Sequence, residues 1–424
     1  MMTYDEAIQY IHGISWTFCK PGLERIQALC DALGNPQNRL KFIHVAGTNG
    51  KGSFCSMLSS VLTAAGYKTG LYTSPYIKVF NERMQINGKN IDNERLAEIT
   101  ERVRPIADSL EDKPTEFELI TAIAFLYFAE EECDVVVLET GMGGRLDSTN
   151  IITTSTLSVI TGIALDHTAF LGNTIEEIAA EKAGIIKSNV PVLFGSNDEK
   201  AFSVISKKAK ELHAQIYRTD RSMIDLKRAD ITGSVFDYKS HTDTEIKLLG
   251  LYQPKNAANV LEAIDILVTR GFKISESAIR DGLASARWPA RFEIISKEPL
   301  IIFDGAHNPE GISVATESIS HYFDGKVTVL SGVLKDKDYR FIAKELSKIA
   351  DAAFTITPDS PRALTAKEYA DILCEYGVAS IPCPDIKSAL SAAYKRAIET
   401  NSPLVCLGSL YTYADVTKAL DEIK

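Results

Sequence analysis

Apolar runs of strand length recur at residues 42–45, 69–72, 135–138, 157–161 and 190–194, with amphipathic stretches between them. That alternation predicts strands joined by helical crossovers in a mainly parallel sheet. The runs hold continuous Val, Ile and Leu where a half-exposed strand would alternate, so helices are expected on both faces of the sheet. Helices are predicted over 53–65, closed by Gly66, and over 174–186, where Thr174 and Glu177 have the spacing of a capping box. The pattern breaks at Trp288-Pro289-Ala290-Arg291 and restarts with strands at 300–303, 327–330, 353–356 and 404–407. An α/β fold in two domains follows, 1–289 and a smaller 290–424. The polar, Asp- and Thr-rich stretch 218–249 predicts a small antiparallel excursion within the first domain.

A chain of 424 residues exceeds the span of one hydrophobic core, so an internal cleft is expected. With 45% hydrophobic and 24% charged residues, it has the means to bury a large core. A net charge of -10 argues against a sequence-independent grip on nucleic acid and points to small-molecule partners. No run approaches the roughly 20 apolar residues of a membrane span. The opening residues carry Asp5 and Glu6 where a targeting segment would be basic and apolar, so a cytosolic location is expected; a monomer is expected as well. The seven cysteines, Cys19, Cys30, Cys55, Cys133, Cys374, Cys383 and Cys406, are odd in number and contain no C-x-x-C pair, as reduced structural thiols would.

The strongest chemical signal is Gly47-Thr48-Asn49-Gly50-Lys51-Gly52-Ser53, which follows the buried run at 42–45 and opens a helix. Glycines let backbone N–H groups converge on phosphate oxygens, and the helix start adds its positive dipole. Lys51 would reach the terminal phosphates and the Ser53 hydroxyl a metal. The match to G-x-x-x-x-G-K-[ST] is imperfect, since Val45 precedes the loop where a Gly belongs and Gly52 follows Lys51. The strand–loop–helix context still predicts a nucleoside triphosphate and makes the first domain a P-loop parallel-sheet ATPase unit, followed by a Rossmann-like α/β domain.

Ligands of open α/β sheets sit beyond the carboxyl ends of the strands. Glu139 ends one apolar run and is a candidate for Mg²⁺, which prefers oxygen donors; the alternative is a capping carboxylate. Asp166-His167 follows another run, and His167 is a ligand, an orienting donor or a cap. Lys182, next to Glu181 on the following helix, reads locally as a solvated residue. Asp304 and His307 crown the 300–303 strand, either as a turn cap or as groups that close on the nucleotide about a hinge near Arg291.

Together these motifs resemble the bacterial folylpolyglutamate and dihydrofolate synthases of the Mur ligase superfamily. The likeness runs over nearly the whole chain, through Thr73-Ser74-Pro75, Phe80-Asn81-Glu82-Arg83, Leu138-Glu139, Asp147-Ser148-Thr149-Asn150, Leu165-Asp166-His167-Thr168, Glu181-Lys182-Ala183-Gly184, Gln253-Pro254-Lys255-Asn256-Ala257 and Asp304-Gly305-Ala306-His307-Asn308-Pro309. It also accounts for the altered phosphate loop, which is a family form. The resemblance implies an ATP-dependent ligase that adds glutamate to a folate-type carboxylate through an acyl phosphate. It implies two Mg²⁺ sites, one with Ser74 and Glu139 beside Ser53, the other with Glu139, His167 and a carbamylated Lys182. Lys51, His167 and Lys182 would serve catalysis, Asn256, Arg291, Asp304 and His307 the nucleotide, and Phe117, Arg83 and Asp147 the substrate. Phe117 has helix-face packing as its alternative. Tyr76 departs from the histidine that several relatives carry after Ser-Pro. The rivals are a small-molecule kinase, another Mur-type amino-acid ligase and a nucleotide-binding module without turnover; a GTPase would need an N-K-x-D motif, which is missing.

Overall fold

The computed structural model describes residues 1–14 and 22–423, so Cys19 lies outside the described residues; the other six cysteines are free thiols. The chain divides into two compact units. The first holds Met1–Asp225, Asp237–Glu245 and Lys255–Ala286, and the second Leu226–Phe236, Ile246–Pro254 and Arg287–Lys424.

The strands, in chain order, begin with β1 Phe42–Ala46, β2 Thr69–Tyr72, β3 Met84–Ile86, β4 Lys89–Asn90, β5 Val135–Glu139, β6 Ser155–Ile160, β7 Val192–Phe194 and β8 Ile216–Arg218. These form one sheet in the order β4-β3-β2-β5-β1-β6-β7-β8, parallel from β2 to β8, with β3 and β4 antiparallel at the edge. Every residue of β1 and β5 is buried. One face packs Phe42, Tyr72, Val136 and Leu138 against the helix Glu116–Glu130, and the other packs Ala46, Ile160 and Phe194 under the helices Ile175–Ala183 and Glu199–Glu211. The helix Glu116–Glu130 is apolar on nearly all sides because Leu119 through Ala129 is buried throughout. At about 1.5–3 kcal/mol per buried large apolar side chain, this double-sided core is what holds the central strands in register.

Three further strands, β9 Ile224–Asp230, β10 Gly233–Tyr238 and β11 His241–Ile246, make a small sheet. The excursion exists, but it does not lie wholly within the first unit as expected. Alternating short runs reveal strands without revealing which core receives them: Tyr238 bonds Glu262 in the first unit, whereas the carbonyl of Ala229 accepts from His321 in the second. The second unit contains β12 Glu293–Lys297, β13 Leu300–Asp304, β14 Val327–Ser331, β15 Ala350–Thr355, β16 Ala379–Pro382 and β17 Leu404–Leu407 in the order β12-β13-β17-β14-β15-β16. All pairings there are parallel except β12 with β13.

Element ends depart from the sequence expectation for local reasons. The helix expected over 53–65 spans Lys51–Ala64, two residues earlier at its start, because Gly50 takes a left-handed φ of 85° and becomes the N-cap. Its end is closed by Gly66, with Tyr67 N–H donating to Leu62 O and Gly66 N–H to Thr63 O. The helix Ile175–Ala183 has the capping box at Thr174 and Glu177 but stops short of 186. Arg145 N–H takes the Glu181 carbonyl, and a Cβ on Gly184 would fall on the Arg145 backbone. Strand β7 starts at Val192 because Pro191 has no N–H to give the ladder.

Candidate functional site

Strands β5, β1 and β6 are neighbours at the centre of the first sheet, and their carboxyl ends lie level, with Val45 opposite Glu139 and Ala46 opposite Ile160. The chain leaves β1 toward the β2 side while β6 lies on the other, so the loop after β1 sits at a reversal of strand order, where α/β sheets open a ligand crevice. The loop is fixed from the β6 side. Thr48 N–H donates to Gly162 O at 2.7 Å, and the Thr161 hydroxyl donates to Asn49 O at 2.8 Å. A Cβ on Gly47 would collide with the Thr161 hydroxyl, and one on Gly50 would stand 2.7 Å from Asn256 Oδ1. Thr161 was missed in the sequence because a threonine at a strand end has no distinguishing pattern.

Two amino groups converge on this loop. Lys51 Nζ is 3.1 Å from Gly47 O and Lys182 Nζ is 2.9 Å from the same oxygen. Lys182 is therefore not the solvated helix residue that its neighbours suggested: it is 3% exposed, while Glu181 turns outward to pair with Arg145 at 2.9 Å. Burial first, and then the Lys51 ammonium, lower the Lys182 pKa from 10.5 to about 7, with Asp166 and Asp147 opposing. Glu139 is buried at the tip of β5, 3.9 Å from Lys51 Nζ, and accepts Ser74 N–H at 3.1 Å. Ser53 is buried in the first turn of the helix Lys51–Ala64. Lys51, Lys182, Glu139, Ser74 and the loop thus share one neighbourhood. His167 is exposed, in a left-handed conformation (φ 50°) just before the turn Thr168–Leu171, and its N–H donates to Asp166 Oδ1. Among the described residues no group of three His, Cys, Asp or Glu side chains could hold a metal unaided.

Beyond β5, the loop through Gly141 to Asp147 is tied by Asp147, whose carboxylate accepts Met142 N–H at 2.8 Å and Thr149 N–H at 3.1 Å. Burial raises the Asp147 pKa against these bonds. Phe117 is half-buried with its ring over Gly141, where a Cβ would come within 2.6 Å, and 6.2 Å from the Tyr72 ring. It packs against the core cluster and faces this loop. The Arg83 guanidinium lies over the rings of Tyr76 and Phe80 at 5.2 and 5.7 Å, with its buried Nε and Nη1 lacking hydrogen-bond partners.

In the second unit, Asp304 ends β13 fully engaged. Its Oδ2 accepts the Tyr252 hydroxyl at 2.7 Å and Phe292 N–H at 3.1 Å, and its Oδ1 accepts Ala306 N–H at 2.8 Å. It anchors the segment in which Ala290 and Phe292 hold left-handed φ on either side of Arg291, whose guanidinium lies beside Gly305. Burial raises the Asp304 pKa and Arg291 opposes it. His307 Nδ1 is bonded to Gly305 O at 2.8 Å.

Comparison with known proteins agrees with this arrangement. Residues 45–266 match the Mur ligase middle domain and 290–410 the Mur ligase glutamate ligase domain. The dihydrofolate synthase/folylpolyglutamate synthase of Bacillus subtilis is 39% identical over 98% of this chain and 99% of its own length. The structure of Mycobacterium tuberculosis folylpolyglutamate synthase complexed with ADP and AMPPCP is similar at a TM-score of 0.88, with 30% identity, covering 98% of this chain and 99% of that one. An FPGS–AMPPCP–folate complex is similar at a TM-score of 0.87, with 36% identity, over 99% of this chain and all of that one, 100%. A glycine-rich loop between strand and helix, an acid at the tip of the neighbouring strand and full-length likeness to these enzymes lead to one conclusion: the chain belongs to the folylpolyglutamate synthase/dihydrofolate synthase family of the Mur ligase superfamily.

Proposed function

We propose that this chain joins L-glutamate to a folate-type carboxylate at the expense of ATP, with residues 1–289 binding the nucleotide and 290–424 completing the ligase. The observation that carries this reading is the meeting of Lys51, Lys182 and Glu139 around Gly47, at the tips of three adjacent strands. A carboxylate oxygen of the substrate attacks the γ-phosphorus of ATP, ADP departs, and an acyl phosphate forms. The amino group of glutamate then attacks the acyl carbon, phosphate leaves, and the amide remains. Phosphoryl transfer asks the protein mainly for positioning and charge compensation, which Lys51 and the loop N–H groups supply.

The donor set suits Mg²⁺. Glu139, Ser53 and Ser74 offer hard oxygens, which suit an ion that keeps waters and phosphate oxygens in its shell. When bound, the metal would offset charge building on the transferred phosphoryl group. Lys182, neutral enough near pH 7 to react with CO₂, would become an anionic oxygen donor as a carbamate and join Glu139 and His167 at a second Mg²⁺. Asn256, beside Gly50, and Arg291, Asp304 and His307 are assigned to the nucleotide. Arg83, with two buried guanidinium nitrogens to spare, Phe117 and Asp147 are assigned to the folate-type substrate.

The test supplies ATP, Mg²⁺ and glutamate with either dihydropteroate or a reduced folate, and weighs the product. A mass gain of one glutamyl residue with stoichiometric ADP is expected. ADP release without glutamate, leaving a phosphorylated product, would sink the reading in favour of a kinase.

A further inference from the structure

His44 sits at the middle of β1 with no exposed surface, in a strand otherwise made of Phe42, Ile43, Val45 and Ala46. An imidazole in so apolar a place costs free energy unless it is hydrogen-bonded, so its single bond identifies what it is for. Its Nε2 lies 2.8 Å from the Thr149 hydroxyl, and that hydroxyl donates its hydrogen to Asp147 Oδ1. A hydroxyl has one proton to give. With that proton committed to the carboxylate, Thr149 can only accept from the imidazole, so His44 must be the neutral Nε2–H tautomer. The remaining Nδ1, buried without a partner, is then a bare lone pair, whose burial costs less than that of an unpaired N–H. Asp147 in turn holds Met142 N–H, in the loop that faces Phe117.

We propose that His44 is a positioning residue for substrate recognition: through Thr149 it fixes the orientation of Asp147, and with it the loop against which the folate-type substrate is read. This rests on the assignment of Asp147 and Phe117 to the substrate. Lys187, whose ammonium acts on His44 electrostatically, donates to Asn150 and stays outside the relay, and it opposes a second positive charge on the imidazole. The relay is thus built from a neutral donor, a hydroxyl and a carboxylate. It transmits geometry along a path that cannot slip, because β1 is pinned on both sides by β5 and β6.

Two measurements on the full chain test this. Nitrogen-15 NMR of the histidine-labelled protein should show one of the seven histidines as a neutral Nε2–H tautomer whose signal shifts in Thr149→Val but hardly in Thr149→Ser; an Nδ1–H tautomer, or no response to Thr149→Val, overturns the relay. In steady-state kinetics, His44→Met and Thr149→Val should each raise KM for the pteroate or folate acceptor about 5- to 30-fold, while KM for ATP moves less than about twofold. His44→Gln, which can present an amide N–H near the Nε2 position, should recover most of the loss. The double variant His44→Met/Thr149→Val should be little worse than either single one, since both cut the same path. Equal rises in both KM values, fully additive losses, or no recovery with Gln would overturn the proposal. Should the unaltered chain turn over no folate-type acceptor, the functional reading fails, and the NMR measurement still decides the relay.

Discussion

Replacing Lys182 with Met isolates the most unusual electrostatic feature of the first unit. The lysine pKa falls from 10.5 to about 7, and at about 1.4 kcal/mol per tenfold change this is a cost of about 5 kcal/mol for holding the ammonium in the fold. The folded value lies below the unfolded one, so between pH about 7 and 10.5 the unfolded chain binds the extra proton. Stability therefore rises with pH across that window, and the full penalty is felt below about pH 7. Met removes the penalty together with the bond to Gly47 O, which is worth about 1 kcal/mol. With allowance for relaxation around a buried charge, Lys182→Met should be more stable than the parent by about 2–4 kcal/mol near pH 6.5, with the advantage gone by about pH 10.5. Urea unfolding of the two proteins across pH, in CO₂- and Mg²⁺-free buffer, measures the difference for the transition to which the first unit belongs. The same variant should be inactive, and the parent in ¹³C-bicarbonate near pH 7.5, where burial leaves much of Lys182 neutral, should give a carbamate resonance that the variant lacks. A stability difference that stays flat across pH would refute the buried-amine argument.

Lys51→Ala should abolish ADP formation with the far-ultraviolet circular dichroism unchanged, because Lys51 is partly exposed and its loss opens no core; turnover near the parental rate would defeat its assignment to the phosphates. Gly50→Ala forces a side chain into a left-handed φ and against Asn256, so nucleotide affinity by calorimetry should fall at least tenfold, at a stability cost of about 1–2 kcal/mol. Thr174→Ala removes one arm of the capping box ahead of the helix that carries Lys182, and should lower unfolding stability by about 1 kcal/mol while leaving KM for ATP within about twofold.

Much of the fold is written in local pattern. Phe42–Ala46 and Val135–Glu139 are continuous apolar runs because helices cover both faces, and Thr174 with Glu177 marks a helix start by chemistry alone. The strands that escaped notice are short or lie at edges. Ala379–Pro382 is mostly exposed and Lys89–Asn90 entirely so; an edge strand needs no apolar face, so hydrophobicity gives no sign of it. Glu293–Lys297 joins its sheet antiparallel with a register shift, which blurs the two-residue period.

The phosphate loop, the acid at the end of β5 and the family itself are determined by the sequence, because each depends on neighbours within a dozen residues or on motifs whose order survives without coordinates. What surrounds Lys182 and His44 is decided by tertiary structure. Lys182 lies 135 positions from the carbonyl it meets and His44 lies 105 from its hydroxyl partner, so their surroundings exist only once the sheet has closed. A side chain's charge state and hydrogen-bond role come from burial and from what faces it, and neither is a property of the residues beside it in the chain.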